Sequence, residues 1–383
     1  MTSNSLRNII VVGGSFVGRT TAQELARVIP STHRVLLTES HSHFHHLFTF
    51  PRFAIVPGQE HKAFIPYSGI FSGVPRPTSH RVVQARVLSA QPQHIELDRE
   101  WNCSKQIPFD YVVLATGTTL SKPAAMESNE KLPSVEYLQE HQADVKRSRS
   151  IVIVGGGAVG VQMATDLKEY FPEKEVTVIQ SRDRVMPNFH PQLHDLIKRR
   201  FDELGVKLIT GARVSIPPGG FPNDGKAFNI QLTNGTTEST ELVILATGQT
   251  PNNQSVAHLT PSSDGSSVAN PDNGYIRIRP TMQFLDEKYS NFFAVGGIAD
   301  TGAQKAARPG SVQAAVVAKN VQALIEGRKP EEAFVKGPGA IHLTLGMTEP
   351  WIIEKYDGQE DMNVEGTWQR MGVVVDHPRQ YHL

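Results

Sequence analysis

The chain has 383 residues, too many for one ordinary core and enough for two or three. Lysine plus arginine and aspartate plus glutamate both number 38, so no whole-molecule field draws it to nucleic acid or an anionic membrane, and partners must be recognised locally. The single cysteine, Cys103, excludes an internal disulfide, a Cys-x-x-Cys redox centre and a multi-cysteine metal site.

The opening MTSNSLRN has no apolar signal core, no glycine follows Met1 for myristoylation, and no apolar run approaches the roughly 20 residues that span a bilayer. A cytoplasmic protein is expected, with peripheral membrane contact left open. From Asn8, NIIVV reads as a short buried strand that stops at GGSFVG, Gly13 to Gly18. A helical pattern follows from Thr20 to Val28, then the strand HRVLLTES, which together make a βαβ unit. Glu39 closes that second strand about 26 residues after Gly13, where a carboxylate can hold the two hydroxyls of an adenosine ribose.

Farther along, HRVVQARVLSAQ and HIELDRE alternate and read as a small antiparallel meander. YVVLAT from Tyr111 is a further buried strand, ending in LATG at Leu114 to Gly117. The pattern then starts again. IVIVG from Ile151 leads into GGGAVG at Gly155 to Gly160, a helix over Val161 to Tyr170, the strand EVTVIQS, and finally ELVILAT with a second LATG at Leu245 to Gly248. Each LATG lies roughly 90 to 100 residues beyond its own glycine turn. Ile216 to Gly225 and Thr260 to Gly274 are Pro- and Gly-rich surface loops. Ala307 to Gly327 reads as a helix opened by proline and Ser311 and closed by Gly327. From about Pro338 a tail with strand-like runs, AIHLTLG to EGTWQRMG, repeats nothing earlier. In it, Trp351, Ile352 and Ile353 fit either a buried strand or contact with a membrane surface.

A strand that stops at glycines and enters a helix presents free N–H groups and the positive end of the helix dipole to an anion. The first glycine makes the turn, the middle one admits a pyrophosphate, and the last lets helix and strand touch. Gly155, Gly157 and Gly160 fill these roles in the second copy, with Ala158 beside them. In the first, Gly13 and Gly18 fill the outer two and Ser15 stands in the middle, its hydroxyl able to hydrogen-bond the phosphate that its Cβ crowds. Where an acidic residue would select NADH, the second unit offers Gln180, Ser181 and Arg182, an end that tolerates the 2′-phosphate of NADPH. The fold class expected is α/β with two Rossmann-like dinucleotide-binding modules.

Specific stretches go further: HFHHLFTFPRFAIVPG at His43 to Gly58, KAFIPY, FDYVVLATG, IVIVGGGAVGVQMATDLKEYFPEKEVTVIQS, LGVKLITGARV, ELVILATGQTPN, FFAVGGIAD and GTWQRMG. Over nearly its whole length the chain resembles the apoptosis-inducing-factor-like and ferroptosis suppressor flavoproteins, two-dinucleotide proteins with the type II NADH dehydrogenases as more distant relatives. The resemblance implies FAD on Gly13, Gly14, Ser15, Phe16 and Gly18, with Glu39 at the ribose, Arg52 near the cofactor, and the backbone at Val82 and Thr116 to Gly117 completing the adenosine side. It implies NADPH or NADH on Gly155 to Gly160 with Gly248. The implied division is 1–125 and 251–335 for FAD, 126–250 inserted for the nucleotide, and 336–383 as a C-terminal α+β segment. The helix from Ala307 would direct its N-terminus at the flavin.

Two positions depart from the family pattern. Gln162 replaces a glutamate beside the nicotinamide pocket, and Gly297 replaces the aspartate expected at the flavin's ribityl chain, leaving Asp300 either as a substitute or as a surface acid. The expected activity is transfer of hydride from NAD(P)H to FAD, and on to a quinone, another small electrophile or dioxygen. The alternatives are a flavoenzyme tailoring a specialised metabolite and a redox-sensing flavoprotein that acts through partners. No side chain is assigned as catalytic. His43, His45 and His46 read as structural or flavin-flanking rather than metal ligands, and Phe44, Phe48, Phe50 and Phe53 as core rather than a quinone slot.

Overall fold

A computed structural model describes residues 6–262, 267–337, 341–347, 352–353 and 364–382. The first stretch runs β1 (Arg7–Val12), α1 (Phe16–Val28), β2 (His33–Glu39), β3 (His43–His45), α2 (Phe50–Phe53), β4 (Phe64–Pro66), β5 (Arg81–Gln84), β6 (Val87–Ala90), β7 (His94–Trp101), β8 (Ser104–Pro108), β9 (Tyr111–Leu114) and β10 (Thr118–Leu120). β1 is central because Ile9, Ile10 and Val11 have both faces covered, with β2 parallel on one side and β9 parallel on the other. HRVVQ does not join the meander: β5 instead pairs in parallel with β2, Leu37 opposite Val82, and extends the main sheet. Its Val83 is buried while Arg81 and Gln84 are exposed, as suits an edge strand. The meander that does form is β6-β7-β8.

The middle stretch holds α3 (Lys131–Arg147), β11 (Ser150–Val154), α4 (Ala158–Tyr170), β12 (Glu175–Gln180), α5 (Pro191–Leu204), β13 (Val206–Thr210), β14 (Phe228–Gln231), β15 (Thr237–Thr240), β16 (Leu242–Leu245) and β17 (Gln249–Pro251). Its parallel sheet has the order β13-β12-β11-β16. The chain leaves the first sheet along β10 and returns along β17. These two pair antiparallel, Thr118 opposite Pro251 and Leu120 opposite Gln249.

The last stretch gives β18 (Phe292–Ala294), α6 (Ala307–Ile325), β19 (Ile341–His342), β20 (Ile352–Ile353) and α7 (Val364–Arg370). β18 completes the first sheet as β18-β9-β1-β2-β5. α6 lies against α1, and Gly310 permits the approach, since a Cβ there would overlap Val17 and stand 3.0 Å from its second methyl. Gly327, at φ 74°, ends α6, with the Arg328 N–H reaching back to the Ala323 carbonyl. Ser311 lies inside this helix, not at its start, and its hydroxyl donates to the Ala307 carbonyl. GTWQRM, expected as strand, is part of α7 and the residue after it. Trp351 and the side chains of Ile352 and Ile353 lie outside the described residues, and with them the membrane-contact expectation. Among the described residues, no helix is long and apolar enough to cross a membrane.

Candidate functional site

The two glycine turns are built alike. Gly13 has φ +100° and Gly155 φ +117°, a region that side-chain-bearing residues avoid. A Cβ on Gly13 would sit 2.5 Å from the Ala115 carbonyl oxygen, and one on Gly155 would overlap that of Ala246. A Cβ on Gly18 would overlap the Gly13 carbonyl, and one on Gly160 the Gly155 carbonyl. The alanines of the two LATG segments are thus the second walls of the two turns. Helices α1 and α4 begin at Phe16 and Ala158, earlier than their periodic patterns suggest, so their first turns form the mouths of the cradles.

Ser15 and Gly157 hold the same N-cap position in extended conformation, and neither supplies a side-chain cap. Nothing lies within 4 Å of where a Gly157 Cβ would be, so that approach is open. The second-strand ends also match. Gly14 N–H donates to Glu39 Oε2 at 2.5 Å, and Gly156 N–H donates to Gln180 Oε1 at 3.1 Å. Gln180, not Arg182, therefore occupies the place of Glu39. Arg182 is exposed, with a 3.4 Å contact to Asn188.

Burial pushes the Glu39 carboxyl up, but hydrogen bonds and charge from His41, together with the Gly14 N–H, outweigh it and hold the group at about 2. Tyr67, which sequence reasoning did not assign, donates from its hydroxyl to the Gly14 carbonyl at 3.0 Å and pins the first turn. Its signal was the KAFIPY stretch. Val82 lines a cavity of about 560 Å³ with Ser42, His43, Tyr67 and Phe71. Thr116 and Asn252 exchange two hydrogen bonds, 2.6 and 2.9 Å, and Asn252 N–H donates to the Gly117 carbonyl at 3.1 Å, tying the two passages between the sheets. Gly117 and Gly248 both take positive φ.

Residues 7–318 match the pyridine nucleotide-disulphide oxidoreductase family. The chain belongs to this family. It is 33% identical to Fe-regulated protein 8 of Mycosarcoma maydis, over 98% of this chain and 97% of that protein, and 29% identical to human ferroptosis suppressor protein 1, over 89% and 86%. Among solved structures it is similar to the sulfide:quinone oxidoreductase of Aquifex aeolicus, with TM-score 0.64 and 20% identity, covering 85% of this chain and 78% of that one. The chain is an NAD(P)H-dependent flavin oxidoreductase, using FAD and a nicotinamide dinucleotide. The disulphide of the family description has no counterpart, because Cys103 is the chain's only cysteine and is exposed at the β7–β8 turn.

Within this family frame, Gly297 is followed by Asp300, whose Oδ2 accepts from Asn270 at 2.8 Å and Asn273 at 3.5 Å. Arg52 is held by the second glycine helix rather than by the first turn's own residues. Its Nε and Nη2 close on Asp166 of α4 at 2.9 and 3.0 Å. Phe44 and Phe50 are fully buried and Phe53 nearly so, whereas Phe48 is 37% exposed and packs on Phe16 at 4.6 Å between centroids.

His45 and His46 are buried. Burial holds them at about 3 and 4, with the neighbouring charges of His41 on the one and Arg370 on the other adding to it. His46 Nε2 meets Thr367 Oγ1 of α7 at 3.0 Å, while His46 Nδ1 and His45 Nε2 have no partner among the described residues. Because the unfolded chain takes up these protons near pH 6.5 and the folded chain does not, stability falls as pH drops from 6.5 towards 4, by up to roughly 1.4 kcal/mol per pH unit per histidine. His46→Asn should flatten the decline of Tm with falling pH; an unchanged slope would refute this.

Proposed function

We propose that this chain passes hydride from NAD(P)H held at Gly155–Gly160 to FAD held at Gly13–Gly18, and the electrons on to a quinone or similar small carbonyl acceptor. One observation carries the reading: two cradles of the same construction, each closed by the alanine of a returning strand, on sheets joined by the β10–β17 ribbon. When bound, FAD supplies the two-electron chemistry between donor and acceptor. The protein's part is to hold and orient. The α1 and α4 N-termini receive the two pyrophosphates, and Glu39, kept ionised beside Gly14 N–H, receives the ribose hydroxyls. With no cysteine pair, electrons leave through a small acceptor, and the half-exposed Phe16–Phe48 pair offers it an apolar face. The same reading divides the chain at 125, 250 and 335, and takes it to be cytoplasmic.

Anaerobic addition of NADH or NADPH should bleach the bound flavin, and a soluble quinone should restore it. Failure to bleach with either nucleotide would overturn the reading. Bleaching without recovery by quinone would remove the acceptor assignment alone. Arg182→Glu should weaken NADPH binding more than NADH binding, and Gln180→Glu should shift preference further towards NADH by recreating the Glu39 arrangement; unchanged preference in both would exclude this strand end as the selector.

Gly297 has room for a Cβ. A Cβ there would lie 3.4 Å from Gly117 Cα, ordinary contact, at a φ open to any residue. Gly297→Asp should tighten FAD binding roughly tenfold or more, from one charge-assisted hydrogen bond of about 1.5 to 3 kcal/mol. Titration of apoprotein with FAD checks it, and equal or weaker binding would refute it.

A further inference from the structure

We infer that Asp166 is a positioning residue that locks Arg52 and thereby sets the nucleotide-bearing helix α4 against the flavin-side segment α2. The inference rests on the proposed function but on different atoms. Asp166 is 0% exposed and takes both oxygens into a two-pronged pair with Arg52 Nε and Nη2. Arg52 Nη2 continues to Thr344 Oγ1 at 3.2 Å and the Gly346 carbonyl at 3.1 Å, so one guanidinium joins α2, α4 and the tail segment 341–347.

That tail segment is clamped from its other side. Met347 N–H donates to Glu169 Oε2 at 2.5 Å, Arg200 of α5 donates to the Leu345 carbonyl at 3.1 Å, and Arg200 also pairs with Glu169. Gly346, at φ +109°, is pressed so closely on the Glu169 carboxylate that a Cβ would overlap it. Two arginines and two carboxylates from three helices thus enclose one strap of backbone, and Glu203 of α5 also meets Arg200 at 3.2 Å.

The position along α4 makes the arrangement functional. Asp166 is one helical turn beyond Gln162 and so shares its face. Where the family pattern places a carboxylate at 162, this chain has a neutral amide, and the fully buried carboxylate on that face is Asp166. Arg52 is left with Nη1 as the one guanidinium nitrogen that has no partner among the described residues. A buried ion pair seldom adds net stability over a packed apolar pair. What it adds is a fixed geometry, and hydride transfer needs one: a misplacement of about 1 Å costs on the order of 100-fold.

The test uses FAD-loaded protein and stopped-flow bleaching by the better nucleotide, comparing wild type with Asp166→Asn and with the apolar double variant Arg52→Met, Asp166→Leu, which guards against simple failure to fold. Expected is a limiting bleaching rate at saturating nucleotide at least tenfold lower in both, with the nucleotide Kd within threefold of wild type and, in the double variant, Tm retained. A double variant of unchanged Tm and wild-type limiting rate would overturn the inference, as would a rate restored simply by more nucleotide.

If wild type itself is not bleached, the proposed function fails, and hydrogen exchange then decides the inference separately. Asp166→Asn should deprotect amides in both 341–347 and α4. Exchange raised only beside residue 166 would refute the yoke.

Discussion

Gly18→Ala is expected to yield colourless protein that does not take up FAD, whereas Gly160→Ala should stay yellow and resist bleaching by NADH and NADPH alike. The added methyl at residue 18 would overlap the Gly13 carbonyl oxygen, lie 2.8 Å from its carbon and press on the Ala115 methyl at 3.1 Å. These obstacles are backbone and a strand-borne Cβ, so no rotamer relieves them, and α1 must move away from β1. Overpacking of this kind costs about 1 to 3 kcal/mol or more, and it spreads the N–H groups that have to converge on a pyrophosphate. At residue 160 the same methyl meets the Gly155 carbonyl and the Ala246 methyl, in the other sheet. Visible absorbance of the purified variants, followed by nucleotide addition, checks both halves. A yellow Gly18→Ala protein would show that FAD does not rest on this turn.

Trp368→Ala should cost roughly 3 to 5 kcal/mol and release the C-terminal helix. Trp368 is 1% exposed, its indole N–H donates to the Lys62 carbonyl at 2.9 Å, Tyr381 meets it edge-on at 5.0 Å, and the Lys131 ammonium lies over its face at 5.2 Å. The neighbouring Thr367 holds His46, so loss of the anchor also exposes that ring. Nearby, Gly69 and Gly372 touch through backbone that admits no side chain. Trp368→Phe keeps the ring and loses only the hydrogen bond, about 1 kcal/mol. Thermal unfolding and proteolysis of the tail measure the difference; equal Tm for the alanine variant and wild type would refute the anchoring role.

The strands of both sheets are legible in the sequence because parallel strands buried on both faces become unbroken apolar runs, as in Ile9–Val12 and Ile151–Val154. The helix starts are not, because Phe16 to Arg19 and Ala158 to Gly160 serve the cradles before any amphipathic rhythm begins. The sheet membership of β5 was hidden for a similar reason: Arg81-Val82-Val83-Gln84 suits an edge strand of either direction. What the sequence hides altogether is pairing at long range. Arg52 and Asp166 are separated by 114 residues and Tyr67 and Gly14 by 53, so no local pattern links them. At the second strand end the sequence offers Gln180, Ser181 and Arg182 alike, and only the geometry shows that the Gln180 amide turns inward to Gly156 N–H.

The side-by-side passage of β10 and β17 has a practical corollary. Neighbouring antiparallel strands run about 5 Å apart, so severing both there would leave two chain ends almost touching. The stretch between them then amounts to a cassette, one that could be closed with a short peptide or exchanged for a relative's without rethreading the rest of the protein.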